Sequence, residues 1–298
     1  MRCIAPLTLK SKNLREQLRF GESRQVNCGK CPACIDAKRR EWVFRLKCEA
    51  RYSLNAFFVT LTYKDENLPK NEFGFPTFSK RDVQLFMKSF RESVRQLDSE
   101  IRVRHFIIGE YGSENGRPHY HAILFNCPEI NTTLRLITEH WKHGFVRISE
   151  CSDRRIGYCA NYMYGKSDMP KYLLSASNVF RTLVSTKPGI GYALSVDDEF
   201  INYVKCHLDN PTFRIDGYSY MIPRYMLDKI LSDKEKIQLS VSKRLYVLQK
   251  QEEQDAIDEN YFKKHGRFLS TQLKERYVEK FHQRKKHHKD NQLTIRDK

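Results

Sequence analysis

The chain has 298 residues, 40 % hydrophobic and 12 % aromatic, enough to bury a full core in one large domain or two small ones. A net charge of +17 costs self-repulsion and points to an anionic partner, nucleic acid before a membrane surface, since no basic amphipathic helix with a bulky apolar face stands out. No apolar run reaches bilayer-spanning length and the N-terminus lacks a secretory apolar region. Nine cysteines, odd in number and clustered, argue against a disulfide framework and for a reducing compartment.

In chain order, residues 1–34 are polar and basic and hold four of the nine cysteines, Cys3, Cys28, Cys31 and Cys34. A helix rich in arginine and lysine is predicted over 33–52, followed by a strand over 57–63 and a loop punctuated by Pro69, Gly74 and Pro76. Ser79 reads as the N-cap of the next helix, with Asp82 three residues on and an apolar stripe of Val83, Phe86, Met87, Phe90 and Val94. Strands follow at about 102–109 and 119–126, then a helix at about 131–142 and a strand at about 145–151. The order β-α-β-β-α-β between residues 57 and 151 is the ferredoxin-like pattern of an α+β protein with an antiparallel sheet.

From about residue 226 the composition shifts to long, charged helical periodicity carrying Ile230, Leu231, Ile237, Leu245 and Leu248. The run from Lys263 onward is strongly basic and ends in Arg284, Lys285, Lys286, His287, His288 and Lys289. It reads either as a solvated helix with a frayed tail or as a phosphate-binding tail that attracts any DNA without choosing a sequence. The expected organisation is a Cys-rich element with a basic helix (1–54), a core with an extension (55–225) and a basic helical region (226–298). No internal repeat is present.

The most informative motif is His119-Tyr120-His121, at the start of the second of the paired strands. Alternation along a strand puts both imidazoles on one face, roughly 6.6 Å apart along the backbone, where they can share one metal ion. Glu110 ends the preceding strand, and the turn over 111–116 folds the two into a hairpin that brings its carboxylate to the pair. Taken alone, such a pair also suits a surface or a hydrogen-bonded core. In a helix beginning near Gly157, Tyr158 and Tyr162 stand at i and i+4 and share a face, while Tyr164 points elsewhere. Paired tyrosines alone also suit a packed core. A metal site followed by paired phenols describes an enzyme that cuts a DNA strand and holds the cut end.

Phe57-Phe58-Val59-Thr60-Leu61-Thr62-Tyr63, then Gly109-Glu110-Tyr111-Gly112 leading to Arg117-Pro118-His119-Tyr120-His121, then the Tyr158/Tyr162 pair, resemble the three motifs of the HUH endonucleases in their order. More closely, the chain resembles the replication initiators of the gokushoviruses, small single-stranded DNA phages of the microvirus family. The runs Cys28-Gly29-Lys30-Cys31-Pro32-Ala33-Cys34, Arg39-Arg40-Glu41-Trp42, Trp141-Lys142-His143-Gly144-Phe145 and Lys187-Pro188-Gly189-Ile190-Gly191 agree, and the resemblance spans roughly residues 1 to 230.

The resemblance implies an HUH core with helical additions at both ends, its His-bearing strand central and the tyrosine helix packed across the site face. It also implies rolling-circle initiation in the cytoplasm of a bacterial host. One tyrosine nicks the origin, forms a 5′-phosphotyrosine and leaves a 3′-hydroxyl to prime synthesis; the second lets the strand be rejoined after one round. The partners implied are single- and double-stranded phage origin DNA and the host helicase and replication machinery, because the chain has no ATP-binding Gly-x-x-x-x-Gly-Lys-Ser/Thr run. Which tyrosine cuts first is not fixed by the sequence. The expected ligands are Glu110, His119 and His121, suited to Mn²⁺ or Mg²⁺ for phosphate work although zinc would also bind.

Where the family usually has a lysine between the tyrosines this chain has Asn161, so Lys166, or else Arg154 or Arg155, is expected to take over charge stabilisation. Cys3, Cys28, Cys31 and Cys34 form a second constellation, read as structural zinc, an iron–sulfur cluster, or free buried thiols. Lys38, Arg39 and Arg40 beyond it would then face duplex DNA. A transposase or plasmid relaxase shares the same chemistry. The rival class is a non-catalytic, zinc-containing DNA-binding regulator; a small-molecule zinc hydrolase would leave both the paired phenols and the charge without a purpose.

Overall fold

The computed structural model of the protein describes residues 3–13, 17, 22–112, 116–162, 182–276, 278–279 and 283. These divide into two compact units. One comprises 1–38, 208–210 and 233–298, the other 39–207 and 211–232.

The second unit is built on an antiparallel five-stranded sheet. Its strands are β3 (Ala56–Thr62), β4 (Arg104–Tyr111), β5 (Pro118–Phe125), β6 (Val146–Glu150) and β7 (Thr182–Val184), in the order β6-β3-β5-β4-β7. The first four have the ferredoxin-like arrangement predicted from the pattern, and β5, which carries both histidines, is central. β7, a three-residue strand paired with Phe106–Ile108 of β4, extends the sheet beyond that prediction.

Alternation along the strands divides the sheet into two faces. Phe57, Val59, Leu61, Ile107, Tyr120, Ala122 and Leu124 point to the core face and are almost wholly buried. Two helices cover that face: α2 (Lys80–Leu97), through Val83, Phe86, Met87, Phe90 and Val94, and α3 (Ile130–His140), through Leu136 and Ile137. Ser79 caps α2 by accepting from the Asp82 N–H. Tyr120 holds the helix start to the sheet, because its hydroxyl accepts from Ser79 N at 2.8 Å and lies 3.2 Å from the Tyr63 hydroxyl.

Past α3, Gly144 explains why its run reads as a motif. A Cβ there would lie 2.1 Å from the Thr62 carbonyl oxygen, so only glycine allows the chain to pass the end of β3 so closely. Thr62 N–H to Phe145 O (3.0 Å), Lys64 N–H to His143 O (2.9 Å) and the Trp141 indole N–H to Thr62 O (2.9 Å) fix that crossing.

The opposite face carries the polar constellation and is covered by α4 (Asp153–Tyr162), which packs over β4 and β5, and by the later turns of α1 (Pro32–Arg51), where Trp42 meets Phe106 at 5.2 Å. The 187–191 run crosses α1, with the Gly191 N–H donating to Glu49 and Arg45 donating to the Ile190 carbonyl. α5 (Asp198–Cys206), β8 (Thr212–Ile215), β9 (Tyr218–Met221) and α6 (Arg224–Ile230) complete the unit.

In the first unit, β1 (Leu7–Lys10) and β2 (Ser23–Val26) form a separate antiparallel pair, where the sequence suggested only helical additions. The start of α1 follows, and α7 (Asp233–His265) is the long helix expected from the periodicity. Among the described residues, no helix is long and apolar enough to cross a membrane.

Candidate functional site

The β4–β5 hairpin sets the register from which the site follows. Glu110 lies directly opposite His119, and His121 sits opposite Ile108 on one side and Thr60 on the other. Glu110, His119 and His121 therefore project from adjacent positions on one face, and one donor atom from each lies within 4.8 Å of the others. Glu110 Oε2 is 3.1 Å from His121 Nε2 and 3.6 Å from His119 Nε2.

The outward-facing nitrogens of the imidazoles are also fixed. His119 Nδ1 lies 3.2 Å from the Arg117 carbonyl, which only accepts, so Nδ1 carries the proton and Nε2 keeps its lone pair for a ligand. His121 Nδ1 is 3.1 Å from the Thr60 hydroxyl, which likewise leaves Nε2 facing Glu110. Phe58 stacks on the His121 ring at 5.2 Å, fixing its plane. Burial, and then His119, outweigh Glu110 and lower the His121 pKa, which keeps that ring a neutral, ligand-ready base. For Glu110, burial acts to raise the pKa, but hydrogen bonds from His119 and His121 prevail and hold the carboxyl well below the usual range. Two neutral nitrogens and one carboxylate form a donor set that fits a divalent ion with open positions for other ligands.

α4 brings the phenols to this triad. Tyr158 donates its hydroxyl proton to Glu110 Oε2, and its oxygen lies 3.4 Å from His121 Nε2. The Tyr162 ring follows at 4.8 Å from the Tyr158 ring, as the i, i+4 spacing predicts, and both residues are half-buried rather than sealed in the core. Burial first, then the charge on Glu110, push the Tyr158 pKa well above its ordinary value. The phenol is therefore held at the site in its protonated form.

An anchor that the motifs did not reveal fixes the start of the helix. Lys47 of α1, only 6 % exposed, donates to Asp153 in the first turn of α4 at 2.6 Å and to Asp216 at 2.8 Å. Burial opposes the charge on this lysine, yet the bonds to the two carboxylates raise its pKa. Three residues spread over 169 positions meet here, and no local pattern signals it.

The other predicted residues fall as follows. The Arg155 guanidinium sits 5.2 Å over the Phe58 ring, one ring removed from His121, and donates to Glu150 O. Arg154 is exposed on the same helix. Lys166, Tyr164 and the basic run 284–289 lie outside the described residues. Lys38 donates to the Gly29 carbonyl and Arg40 to the Ser219 carbonyl, so each has a partner within its own unit. Arg39 is half-buried.

A groove of about 1120 Å³ runs beside the β4–β7 edge and was not foreseen. Arg81, Lys88 and Arg95 line it from α2 at seven-residue intervals that keep them on one stripe, and Arg102 and Arg104 face them.

This arrangement defines the class. A ferredoxin-like antiparallel sheet with a central His-x-His strand, a facing carboxylate and tyrosines on a covering helix is an HUH-like core. Residues 56–167 match the family model described as replication-associated protein, ORF2 type, an interval that holds the triad and both tyrosines. The chain is similar to the replication-associated protein ORF2 of Spiroplasma virus 4, at 30 % identity over 161 residues, 49 % of this chain and 50 % of that protein. The replication-associated protein ORF4 of Chlamydia phage 1 is 25 % identical over 218 residues, 67 % of this chain and 52 % of that one. The replication-associated protein VP4 of Bdellovibrio phage phiMH2K is 27 % identical over 188 residues, 54 % of this chain and 57 % of that one.

The chain thus spans about half the length of the curated relatives it matches. The resemblance to gokushovirus replication initiators read from the motifs is borne out: this is a relative of phage replication-associated proteins. Among solved structures, the hypothetical protein ORF119 from Sulfolobus islandicus rod-shaped virus 1 is 18 % identical, covering 43 % of this chain and 95 % of that one with a TM-score of 0.28. A likeness that slight carries no argument.

Proposed function

We propose that the protein starts rolling-circle replication by nicking an origin strand through a tyrosine, keeping the 5′ end as a phosphotyrosine and later rejoining it. The observation that carries this reading is the Tyr158 hydroxyl bonded to Glu110 and 3.4 Å from His121 Nε2, with Tyr162 beside it. Glu110, His119 and His121 would hold a divalent ion, Mn²⁺ or Mg²⁺ by donor chemistry, whose charge would offset that of the attacked phosphodiester.

The chain's own residues supply the remainder. The helix delivers the phenol to the triad, and Phe58 and Thr60 fix the His121 ring. In the reaction the Tyr158 or Tyr162 oxygen bonds to phosphorus, the bond to the 3′-oxygen breaks, and the phenol proton passes to a base or to the leaving hydroxyl. The ester preserves the energy of the broken bond, so the 3′-hydroxyl can reverse the step without ATP. Two tyrosines allow one to hold the parental end while the other attacks the regenerated junction. Arg155, one ring away from His121, is the best-supported described residue for the charge-stabilising role, with Lys166 the other choice. The basic groove, the +17 charge and the phage relatives support DNA as partner; a host helicase and the bacterial cytoplasm belong to the same reading.

The test uses 3′-labelled single-stranded oligonucleotides tiling the encoding genome, incubated with Mn²⁺ or Mg²⁺. The wild type cuts one of them, and His119→Ala lowers the rate at least about 100-fold while duplex binding is retained. Equal loss of cutting and of duplex binding would mean that the histidines serve the fold; cutting that survives His119→Ala would remove them from the chemistry.

A further inference from the structure

We infer that the first unit holds a single structural zinc ion on Cys3, Cys28, Cys31 and Cys34. The four sulfurs lie within 4.8 Å of one another, although Cys3 is 25 residues from the nearest of the others in sequence. Cys3 Sγ is 3.8 Å from Cys31 Sγ, and Cys28 Sγ is 4.0 Å from Cys34 Sγ. A tetrahedron with metal–sulfur bonds of about 2.3 Å has edges of about 3.8 Å, so these separations are those of one ion with four thiolates. They are too long for a disulfide, whose sulfurs bond at about 2.05 Å. A multi-iron cluster interposes inorganic sulfides between its ligands and needs its thiolates more widely spread.

The local fold builds the site rather than merely permitting it. β1 and β2 pair with Leu7 opposite Val26, which returns the residues before β1 to those after β2 and sets Cys3 beside the 28–31 loop. Gly29 takes φ +74° in that loop, a left-handed turn that glycine adopts without strain. Pro32 then opens α1, placing Cys34 in its first turn. Backbone amides point at the sulfurs: Cys28 N–H donates to Cys3 Sγ at 3.2 Å and Cys31 N–H to Cys28 Sγ at 3.3 Å. Such donors favour thiolates over thiols. Lys38 donates to the Gly29 carbonyl and closes the loop on the helix.

Two four-residue strands, with β1 exposed along its whole length, bury too little apolar surface to hold this arrangement unaided. A bound ion supplies the missing stabilisation, since metal binding to four thiolates is folding free energy.

The full chain, purified without chelator, should contain about one zinc per protein by elemental analysis. Cobalt substitution should give the intense thiolate-to-cobalt bands of a tetrahedral sulfur site. Zinc should fall to background in Cys28→Ser/Cys31→Ser and stay at one per chain in His119→Ala/His121→Ala, which separates this site from the proposed nicking centre. Iron with acid-labile sulfide, a pair of disulfides by intact mass, or four free thiols without metal in the wild type would each overturn the proposal. Should the cysteine variant fail to fold, the wild-type metal content and the cobalt spectrum decide the matter alone.

Discussion

Lys47 offers a sharp test of how the tyrosine helix is held. Its ammonium is 6 % exposed and is balanced by Asp153 and Asp216, which are themselves 62 % and 46 % exposed. In Asp153→Asn, Asp216 still pairs with the lysine, so only one charge-assisted bond at a wet site is lost, about 1 kcal/mol after allowance for screening. In Asp153→Asn/Asp216→Asn the buried ammonium loses both of its carboxylates, and the cost should rise to about 3–5 kcal/mol. Adding Lys47→Met removes the stranded charge and keeps most of the side-chain volume, so it should recover at least about 2 kcal/mol of that loss. The assay is equilibrium urea unfolding of all four proteins at low salt, followed by circular dichroism. Near-additive small losses, or a triple variant less stable than the double, would refute the claim that these three residues form one coupled anchor.

Two further predictions concern the same unit. His105 Nδ1 accepts from Arg91 at 2.7 Å and lies 3.0 Å from the Ser185 hydroxyl. Burial foremost, then Arg91 and Arg104, push its pKa down to about 3. A histidine depressed in this way contributes stability that is complete above about pH 6.5 and is lost as pH falls toward its folded value, at about 1.4 kcal/mol per pH unit. His105→Gln should flatten the stability–pH curve between 6.5 and 3, and an unchanged slope would show that His105 is not the group responsible. In the basic groove, Arg81→Glu/Lys88→Glu changes two exposed residues and should leave the melting temperature almost unchanged. It should weaken binding to a single-stranded oligonucleotide and reduce the magnitude of the log–log salt slope by about 1.4, and an unaltered slope would take the groove out of the DNA path.

What could be read in the sequence was what the chain encodes locally. The Ser79 cap, the Val83-to-Val94 stripe and the alternation through β3 and β5 are short-range patterns, and each corresponds to an observed element. The hairpin register then followed from the turn over 111–116, which is why Glu110 could be paired with His119 before any coordinates. Elements that escaped prediction lack such patterns. β7 is three residues long and owes its existence to the free edge of β4. β1 and β2, at four residues each, have no buried alternation to betray a strand. The Lys47 anchor joins α1, α4 and the β8–β9 turn, so its three charges look like ordinary surface residues until the fold brings them together. Arg155 became a better-supported choice only because Phe58 lies between it and His121.

The central claim is that a phenol beside the Glu110–His119–His121 triad becomes covalently joined to DNA, and mapping that bond tests it most directly. The wild type, incubated with Mn²⁺ and the oligonucleotide it cuts and then digested with protease, should yield a peptide carrying a 5′-phosphodiester nucleotide on Tyr158 or Tyr162. Tyr158→Phe/Tyr162→Phe should yield none. An adduct on any other residue, or one that persists in the double variant, would contradict the account.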